Sequence, residues 1–330
     1  MHPLEKHWQR ITPVTLLLLP LSAIFAATSW LRRVAYSTGL IRKQRVTVPV
    51  VVVGNLSVGG TGKTPVVIWL VEALRARGYR PGVVSRGYRG SEQLHAIDAQ
   101  SLPAIGGDEP VLIARRTRCP VWVGRDRAAA ATQLVSANPQ LDVVISDDGL
   151  QHYRLHRDCE LVVVDAQRHF GNRLLLPAGP LREPVSRLRS ADAVIVNGAG
   201  MPDLPNEIFG MQLFGDRFHN LLDEESTAQP DEFVGKRLHA VAGIGNPERF
   251  FAQLRGLGLS FEAHAFADHH AFSEGDLDFV NADAVLMTEK DAIKCARFAR
   301  KNWWALPVDA RIDNALVDLV IQKIGPVIGH

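Results

Sequence analysis

Val50-Val-Val-Val-Gly54-Asn-Leu-Ser57-Val-Gly59-Gly60-Thr61-Gly62-Lys63-Thr64-Pro65 is the stretch on which the reading of this chain turns. A run of valines breaks into glycines and closes on Gly-Lys-Thr, and the residues from about Thr64 to Arg77 then carry a helical pattern. Strand, glycine loop and helix in that order make a phosphate-binding loop. Its residue types follow from the task. Glycines let backbone N–H groups turn inward and approach an anion closely. Lys63 has the reach to meet β- and γ-phosphates, the Thr64 hydroxyl is a Mg²⁺ ligand, and the helix points its positive end at the anion. Pro65 falls in the first turn, where a missing N–H costs little. Ser57 stands where the commoner pattern has its first glycine. The nucleotide-binding set is therefore Ser57, Gly59, Gly60, Thr61, Gly62, Lys63 and Thr64.

Outward from this loop, apolar runs alternate with helical ones. Strands are expected at Val46–Val53, Arg80–Ser85, Val121–Val123, Leu141–Ser146, Leu161–Asp165 and Ala193–Asn197, with helices at Val66–Arg77, Glu109–Arg116 and Arg125–Ser136. Several strands are unbroken Val/Ile runs, as a parallel sheet covered on both faces requires. The fold class is α/β: a P-loop NTPase-type doubly wound sheet, with an N-terminal apolar helix and a second, smaller α/β domain. The polar stretch 223–231 (DEESTAQPD) reads as a linker. After it come a strand at Leu238–Ala242, a helix at Pro247–Arg255, a strand at Ala284–Met287 and a helix from about Asp291. The expected division is 1–45 for a membrane-associated helix and basic linker, 46–230 for the core, and 231–330 for the smaller domain.

At the N-terminus, residues 11–31 (ITPVTLLLLPLSAIFAATSWL) contain no charge. That length just suffices to cross a hydrocarbon core of about 30 Å. Lys6, Arg10, Arg32, Arg33, Arg42, Lys43 and Arg45 flank it, and Trp8 and Trp30 lie near its ends. The heavier basic cluster follows the segment, which places the next domain on the cytoplasmic side. Pro13 and Pro20 weigh against a straight span. An anchor, a helix lying in the surface and a cleaved signal peptide all remain open on this pattern. A cleaved signal conflicts with a nucleotide loop that needs cytosolic ATP.

Composition bounds the rest. The 330 residues are 46% hydrophobic and 22% charged, enough for a packed core. A net charge of +2 gives no ground for a nucleic-acid partner. Three scattered cysteines fit a reducing compartment.

Residues 141–152 (LDVVISDDGLQH) are a strand ending in Asp147 and Asp148, the place where a P-loop protein holds an acid for Mg²⁺. Asp-Asp-Gly is also good turn chemistry, but the upstream loop favours the metal role. Gly106-Gly-Asp108-Glu-Pro110 puts two acids where a helix opens, as an N-cap or as a base for an acceptor hydroxyl. Asp268-His269-His270 offers an acid–imidazole pair. No Cys accompanies it, and metal is not expected there. Gly243-x-Gly245 reads as a tight turn. Arginines recur in Gly/Pro loops at Ser85-Arg86-Gly-Tyr88-Arg89, Gly124-Arg125-Asp-Arg127 and Gly179-Pro-Leu-Arg182-Glu183-Pro184, where they suit phosphate or sugar contact.

Together these motifs (GNLSVGGTGKTP, SRGY, GGDEP, DDGLQH, PAGPLREP, FADHH and TEKD, in that order behind an apolar helix) resemble the tetraacyldisaccharide 4′-kinase family of lipid A synthesis over nearly the whole chain. In that family Ser57 is a normal phosphate-loop residue. The resemblance implies transfer of the ATP γ-phosphoryl group to the 4′-hydroxyl of a tetraacyl glucosamine disaccharide 1-phosphate, with ATP and Mg²⁺ as cofactors. It further implies Asp108 as general base aided by His269, with His270 the weaker candidate, and Lys63 stabilising the transferring group. Thr64, Asp147, Asp148 and Glu183 form the implied Mg²⁺ environment. Arg86, Tyr88, Arg125, Gln151, His152 and Arg182 are the implied substrate or phosphate contacts. The substrate's acyl chains imply work on inner-membrane lipid at the cytoplasmic face, with the apolar helix and its basic flanks as the docking element. A guanine-nucleotide switch would carry Asn-Lys-x-Asp after a late strand; Thr288-Glu-Lys-Asp291 has the wrong order.

Overall fold

The computed structural model describes residues 5–87, 93–200, 206–223 and 225–327. The chain forms two compact units, residues 1–212 with 310–330, and residues 213–309.

The first unit is built on a nine-stranded sheet in the order β15-β8-β7-β6-β1-β5-β2-β4-β3. In chain order these are β1 (Val50–Gly54), β2 (Pro81–Ser85), β3 (His95–Ile97), β4 (Val121–Val123), β5 (Val143–Asp147), β6 (Cys159–Asp165), β7 (Ala193–Asn197), β8 (Ile208–Phe214) and β15 (Asp309–Ile312). From β8 to β4 every pair is parallel, and β3 closes one edge antiparallel to β4. Every residue of β1, β5 and β6 is buried, which is why these segments read as unbroken apolar runs. Their side chains fill a core with Leu56, Leu150, Leu155 and Leu181. Gly54 is required by this packing, because a Cβ there would stand 2.6 Å from the Leu150 Cβ.

Winding reverses at β1, which lies between β5 and β6. A crevice opens beyond the carboxyl ends of the strands at such a switch point, and ligands bind there. Ser85, Gly54, Asp147, Asp165 and Asn197 are the last residues of β2, β1, β5, β6 and β7. The helices α2 (Lys63–Ala76), α4 (Asp108–Thr117) and α5 (Arg127–Ala137) fall close to their expected positions, and the short α3 (Pro103–Gly106) precedes α4.

The apolar N-terminal segment forms α1, Pro13–Ser37, running past Leu31 through the two arginines. Thr12 caps it and exchanges hydrogen bonds with Thr15. It is the one helix among the described residues long and apolar enough to cross a membrane, with a mean hydropathy of 1.9. Leu16, Leu17, Leu21, Ile24, Trp30 and Leu31 are exposed along it, while Thr15 and Ser22, two turns apart on one face, are buried. The Ser22 hydroxyl donates to the Leu175 carbonyl at 2.7 Å, and ahead of the helix the Trp8 indole donates to the Pro177 carbonyl at 3.0 Å. Near its far end the Tyr36 ring packs on Tyr153 with centroids 6.1 Å apart. The helix thus rests on its own unit at Ser22 and near its far end, with the segment just ahead of it also held.

The second unit holds a six-stranded sheet in the order β10-β9-β14-β13-β11-β12. Its strands are β9 (Phe218–Asn220), β10 (Thr227–Ala228), β11 (Leu238–Ala242), β12 (Phe261–Ala265), β13 (Ala284–Thr288) and β14 (Trp303–Leu306), with α6 (Pro247–Gly256) and α7 (Glu289–Cys295). The stretch expected as a linker, 223–231, lies inside this unit, where Thr227 and Ala228 pair with β9. The division between units comes at 212–213, and the last 21 residues, with α8 (Ala315–Ile324), belong to the first unit.

Candidate active site

The phosphate loop joins β1 to α2 across residues 55–62. Gly59 and Gly62 have φ of 102° and 95°, a region costly for any residue with a Cβ. At Gly62 a Cβ would also meet the Asn197 Nδ2 at 2.6 Å. That amide donates to the Thr61 carbonyl at 3.0 Å, and the Asn55 amide spans the loop to the Gly59 carbonyl at 3.4 Å. The loop is therefore tied down before any ligand arrives. The segment 177–184 runs beside it: Val58 N–H donates to the Pro180 carbonyl at 2.9 Å and Arg182 N–H to the Leu56 carbonyl at 2.7 Å. This pairing delivers Arg182 to the site.

Asp148 has φ of 47°, a conformation uncommon for a residue with a side chain and typical of strained functional positions. Its carboxylate receives both Lys63 Nζ at 3.5 Å and Arg182 Nη1, which donates to each oxygen at 3.1 Å. Burial alone would raise its pKa, but the Lys63 and Arg182 charges hold it well below the usual carboxylate range. Asp147, one residue earlier, is buried, and only its Oδ2 is bonded, by the Ser85 hydroxyl at 2.9 Å; its Oδ1 has no partner. Burial, then the charges of Glu109 and Asp148, push its pKa up to about 7 against the pull of Lys63. The cations Lys63 and Arg182 sit on Asp148, which leaves the bare Asp147 oxygen without a positive partner of its own. A divalent cation fits that deficit.

Asp108 is the first residue of α4, where Gly107 occupies the cap position. The Asp108 carboxylate is nearly buried and accepts the Glu109 N–H at 3.0 Å. Gln151 links three parts of the site: its amide donates to the Asn55 carbonyl at 3.2 Å and to Glu183 Oε1 at 3.0 Å, and its oxygen accepts from Arg182 at 3.4 Å. Glu183 also accepts the Tyr153 hydroxyl at 2.6 Å and pairs with Arg187 at 3.2 Å. Its oxygens are thus engaged by the frame behind Asp148. Arg187 in turn forks Glu160 at 2.8 and 2.6 Å. Burial, then the Arg127 and Arg86 charges, lower the His152 pKa to about 3, so its imidazole is neutral at pH 7.

Arg86 and Arg125 are exposed, and Tyr88 lies outside the described residues. Arg127, grouped with the loop arginines in the sequence but outside the implied contact set, lies not in a loop but at the start of α5. It is 1% exposed, its Nη1 donates to the Gly124 carbonyl at 2.6 Å, and its Nε and Nη2 have no partner. Burial lowers its pKa to about 10, against the opposing charges of Asp147 and Asp148. Asp126 caps α5 by accepting from Ala128 and Ala129, which turns Arg127 inward as the first helical residue. An Asp before an Ala-rich run is the signal that marks this cap.

In the second unit His269 has φ of 58°, and its N–H donates to the Gly243 carbonyl at 3.2 Å. Its ring stands 3.8 Å from Asp268, whose carboxylate also lies 3.8 Å from Lys290. His270 faces Asp276 at 3.3 Å. The Gly243–Gly245 turn is clamped by Asp291, which accepts the Gly243 N–H at 2.9 Å, the Thr288 hydroxyl at 2.6 Å and Lys294 at 2.8 Å. The Thr-Glu-Lys-Asp motif thus serves the turn beneath His269.

A phosphate loop at a topological switch point, with paired carboxylates at the neighbouring strand end, defines a P-loop-type α/β protein. The model of the Tetraacyldisaccharide-1-P 4′-kinase family matches residues 14–325. The chain belongs to that family, whose members are lipid A 4′-kinases. It is 50% identical over 322 residues to the tetraacyldisaccharide 4′-kinase of Methylobacillus flagellatus, covering 97% of this chain and 95% of the relative. It is likewise 50% identical over 327 residues to that of Aeromonas salmonicida, covering 97% and 96%. Among solved structures, the "apo" form of LpxK from Aquifex aeolicus in complex with ATP aligns with a TM-score of 0.81 and 28% identity, over 94% of this chain and 100% of that one.

Proposed function

We propose that this chain transfers the γ-phosphoryl group of ATP to the 4′-hydroxyl of a tetraacyl glucosamine disaccharide 1-phosphate, yielding the bis-phosphorylated lipid A precursor. The observation that carries the reading is the Lys63–Asp148–Arg182 ion cluster set against the phosphate loop, with Asp147 behind it. ATP binding by the Aquifex aeolicus relative supports the nucleotide.

In this reading the loop from Ser57 to Thr64 holds the β- and γ-phosphates through backbone N–H groups. Lys63 takes up charge on the transferring group as its bond to the β-phosphate oxygen lengthens. Asp108 accepts the proton of the 4′-hydroxyl as that oxygen bonds to phosphorus, ADP departs, and His269 supports the base. Neutral His152, Gln151 and Arg182 orient substrate, with Arg86, Tyr88 and Arg125 as outer contacts. Thr64, Asp147 and Asp148 would hold Mg²⁺, which when bound shields the phosphate oxygens, and Glu183 supports them from behind.

The helix α1 docks the protein on the cytoplasmic face of the inner membrane. Attachment of the helix to its own unit through Ser22 and Tyr36, with Trp8 held just ahead of it, supports a helix lying in one leaflet rather than a free span. Its exposed leucines enter the acyl region and Arg32 and Arg33 meet anionic headgroups.

The test is transfer of label from ATP to the disaccharide 1-phosphate in detergent, with Lys63→Ala as control. Lipid-borne label lost in the variant is the expected result. ATP hydrolysis indifferent to lipid would replace the kinase with a switch-type ATPase.

A further inference from the structure

We propose that His239, Glu262 and His264 in the second unit form a binding site for a zinc-type divalent transition-metal ion, separate from the phosphate-loop carboxylates. His239 on β11 is in register with Glu262 on β12, and Val241 with His264, so the three side chains rise from the same face of two adjacent parallel strands. The Nδ1 of His239 and the Nε2 of His264 stand 3.0 Å apart. The Glu262 carboxylate spans them, one oxygen 3.8 Å from each nitrogen. All three donor atoms fall within 4.8 Å of one another.

Tetrahedral zinc with bonds of about 2.0–2.1 Å separates neighbouring donors by about 3.3 Å. The two ring nitrogens stand close to that separation, and each Glu262 oxygen lies 3.8 Å from a different ring, so coordination requires the exposed Glu262 side chain to swing one oxygen toward both nitrogens. Two imidazoles and one carboxylate form the donor set that zinc uses when it keeps one position for water. Here Glu262 is exposed and the two rings are half-buried. The rings are already oriented: Phe279 stacks on His239 at 4.4 Å and on His264 at 4.2 Å. Fixed ring orientation lowers the ordering cost of binding. A hydrogen bond between the imidazoles accounts for two of the three groups. It leaves Glu262, too far for a hydrogen bond to either ring, joined to them by charge alone at 3.8 Å.

The ion would pin β12, the edge strand of its sheet, to β11. The chain leaving β12 turns back over the end of β11, with Phe266 N–H donating to the Ala242 carbonyl at 2.9 Å and His269 N–H to the Gly243 carbonyl. A cross-link at residues 239, 262 and 264 therefore stiffens the root of the loop that carries Asp268 and His269. Its role is structural and independent of the Mg²⁺ used with nucleotide.

Full-length protein stripped of metal is titrated with Zn²⁺ by calorimetry in excess Mg²⁺, and with Co²⁺ by visible absorption. The expected result is one equivalent bound with micromolar or tighter affinity and a tetrahedral Co²⁺ spectrum. His264→Ala should weaken Zn²⁺ at least tenfold, and Zn²⁺ should slow amide exchange across residues 261–270 in the wild type. Glu262→Gln, at an exposed position, repeats the test should the histidine variant fail to fold. Absence of Zn²⁺ uptake, or equal affinity and stoichiometry in wild type and in both folded variants, overturns the site.

Discussion

Asp147 and Asp148 are consecutive residues at one strand end, yet their environments drive them toward opposite charge states. Asp148 meets Lys63 and Arg182 and stays ionised. Asp147 faces into the protein with one oxygen bare and a pKa pushed up to about 7. The pair gives the site one permanent anion and one carboxyl whose ionisation responds to an arriving cation.

This asymmetry sets a pH dependence. In the unfolded chain Asp147 ionises near its ordinary value of about 4. In the ligand-free folded protein it holds its proton to about 7. Between those values the folded state binds more protons, so this group's contribution to stability declines as pH rises and levels off above 7. Asp148, with its depressed pKa, changes its contribution only at lower pH. Asp147→Asn should therefore flatten the fall in melting temperature between pH 4 and pH 7 in metal-free buffer, measured by calorimetry. An unchanged slope would remove the raised pKa from the account. The same variant should lose Mg²⁺-dependent turnover.

Asp108→Ala should lower kcat by about 10²–10⁴, the range for a general base, while ATP affinity stays within a few-fold. Steady-state kinetics alongside nucleotide titration separates the two effects. Turnover near that of the wild type would take the proton from Asp108 and give it to another group.

Arg127 is a buried guanidinium with two idle donors. A charge in that state raises the free energy of the empty site and is relieved by an anion. Arg127→Met should cut phosphoryl transfer at least tenfold with little loss of melting temperature. Arg127→Lys should not restore it, since an ammonium lacks the planar fork. Full activity in the lysine variant would reduce the requirement to bulk charge.

Leu17 and Ile24 are 79% and 62% exposed on α1. Leu17→Glu with Ile24→Glu should move the protein from anionic vesicles to the supernatant on sedimentation, at unchanged melting temperature. Retention on vesicles by the double variant would place the docking surface elsewhere.

The central strands and the phosphate loop were legible because their code is local: valine runs, glycines and Gly-Lys-Thr lie within sixteen residues. Elements that depend on distant partners were not. β10 is two residues long and exists only by pairing with β9, so its polar neighbours read as a linker. β15 joins the first sheet from beyond the second unit, a return that no local pattern announces. Among the site residues, Arg182 and Gln151 were found through their motif and prove to touch Asp148 and Glu183. Arg125 and Arg127 are two residues apart, and the capping of α5 by Asp126 leaves one outside and turns the other in. His239 escaped notice because its companions are adjacent only across strands.

Tyr36 packs on the ring whose hydroxyl holds Glu183, and Glu183 holds the glutamine that touches Arg182. Shortening the chain to obtain a fragment free of detergent therefore disturbs the Glu183–Gln151–Arg182 network as well as removing the apolar helix. It bares one face of Tyr153, takes the Trp8 indole from the Pro177 carbonyl and leaves the Leu175 carbonyl with the Gly179 N–H alone. Point charges on the exposed side of α1 leave those contacts whole, and so they, not deletion, isolate what that apolar surface contributes to turnover.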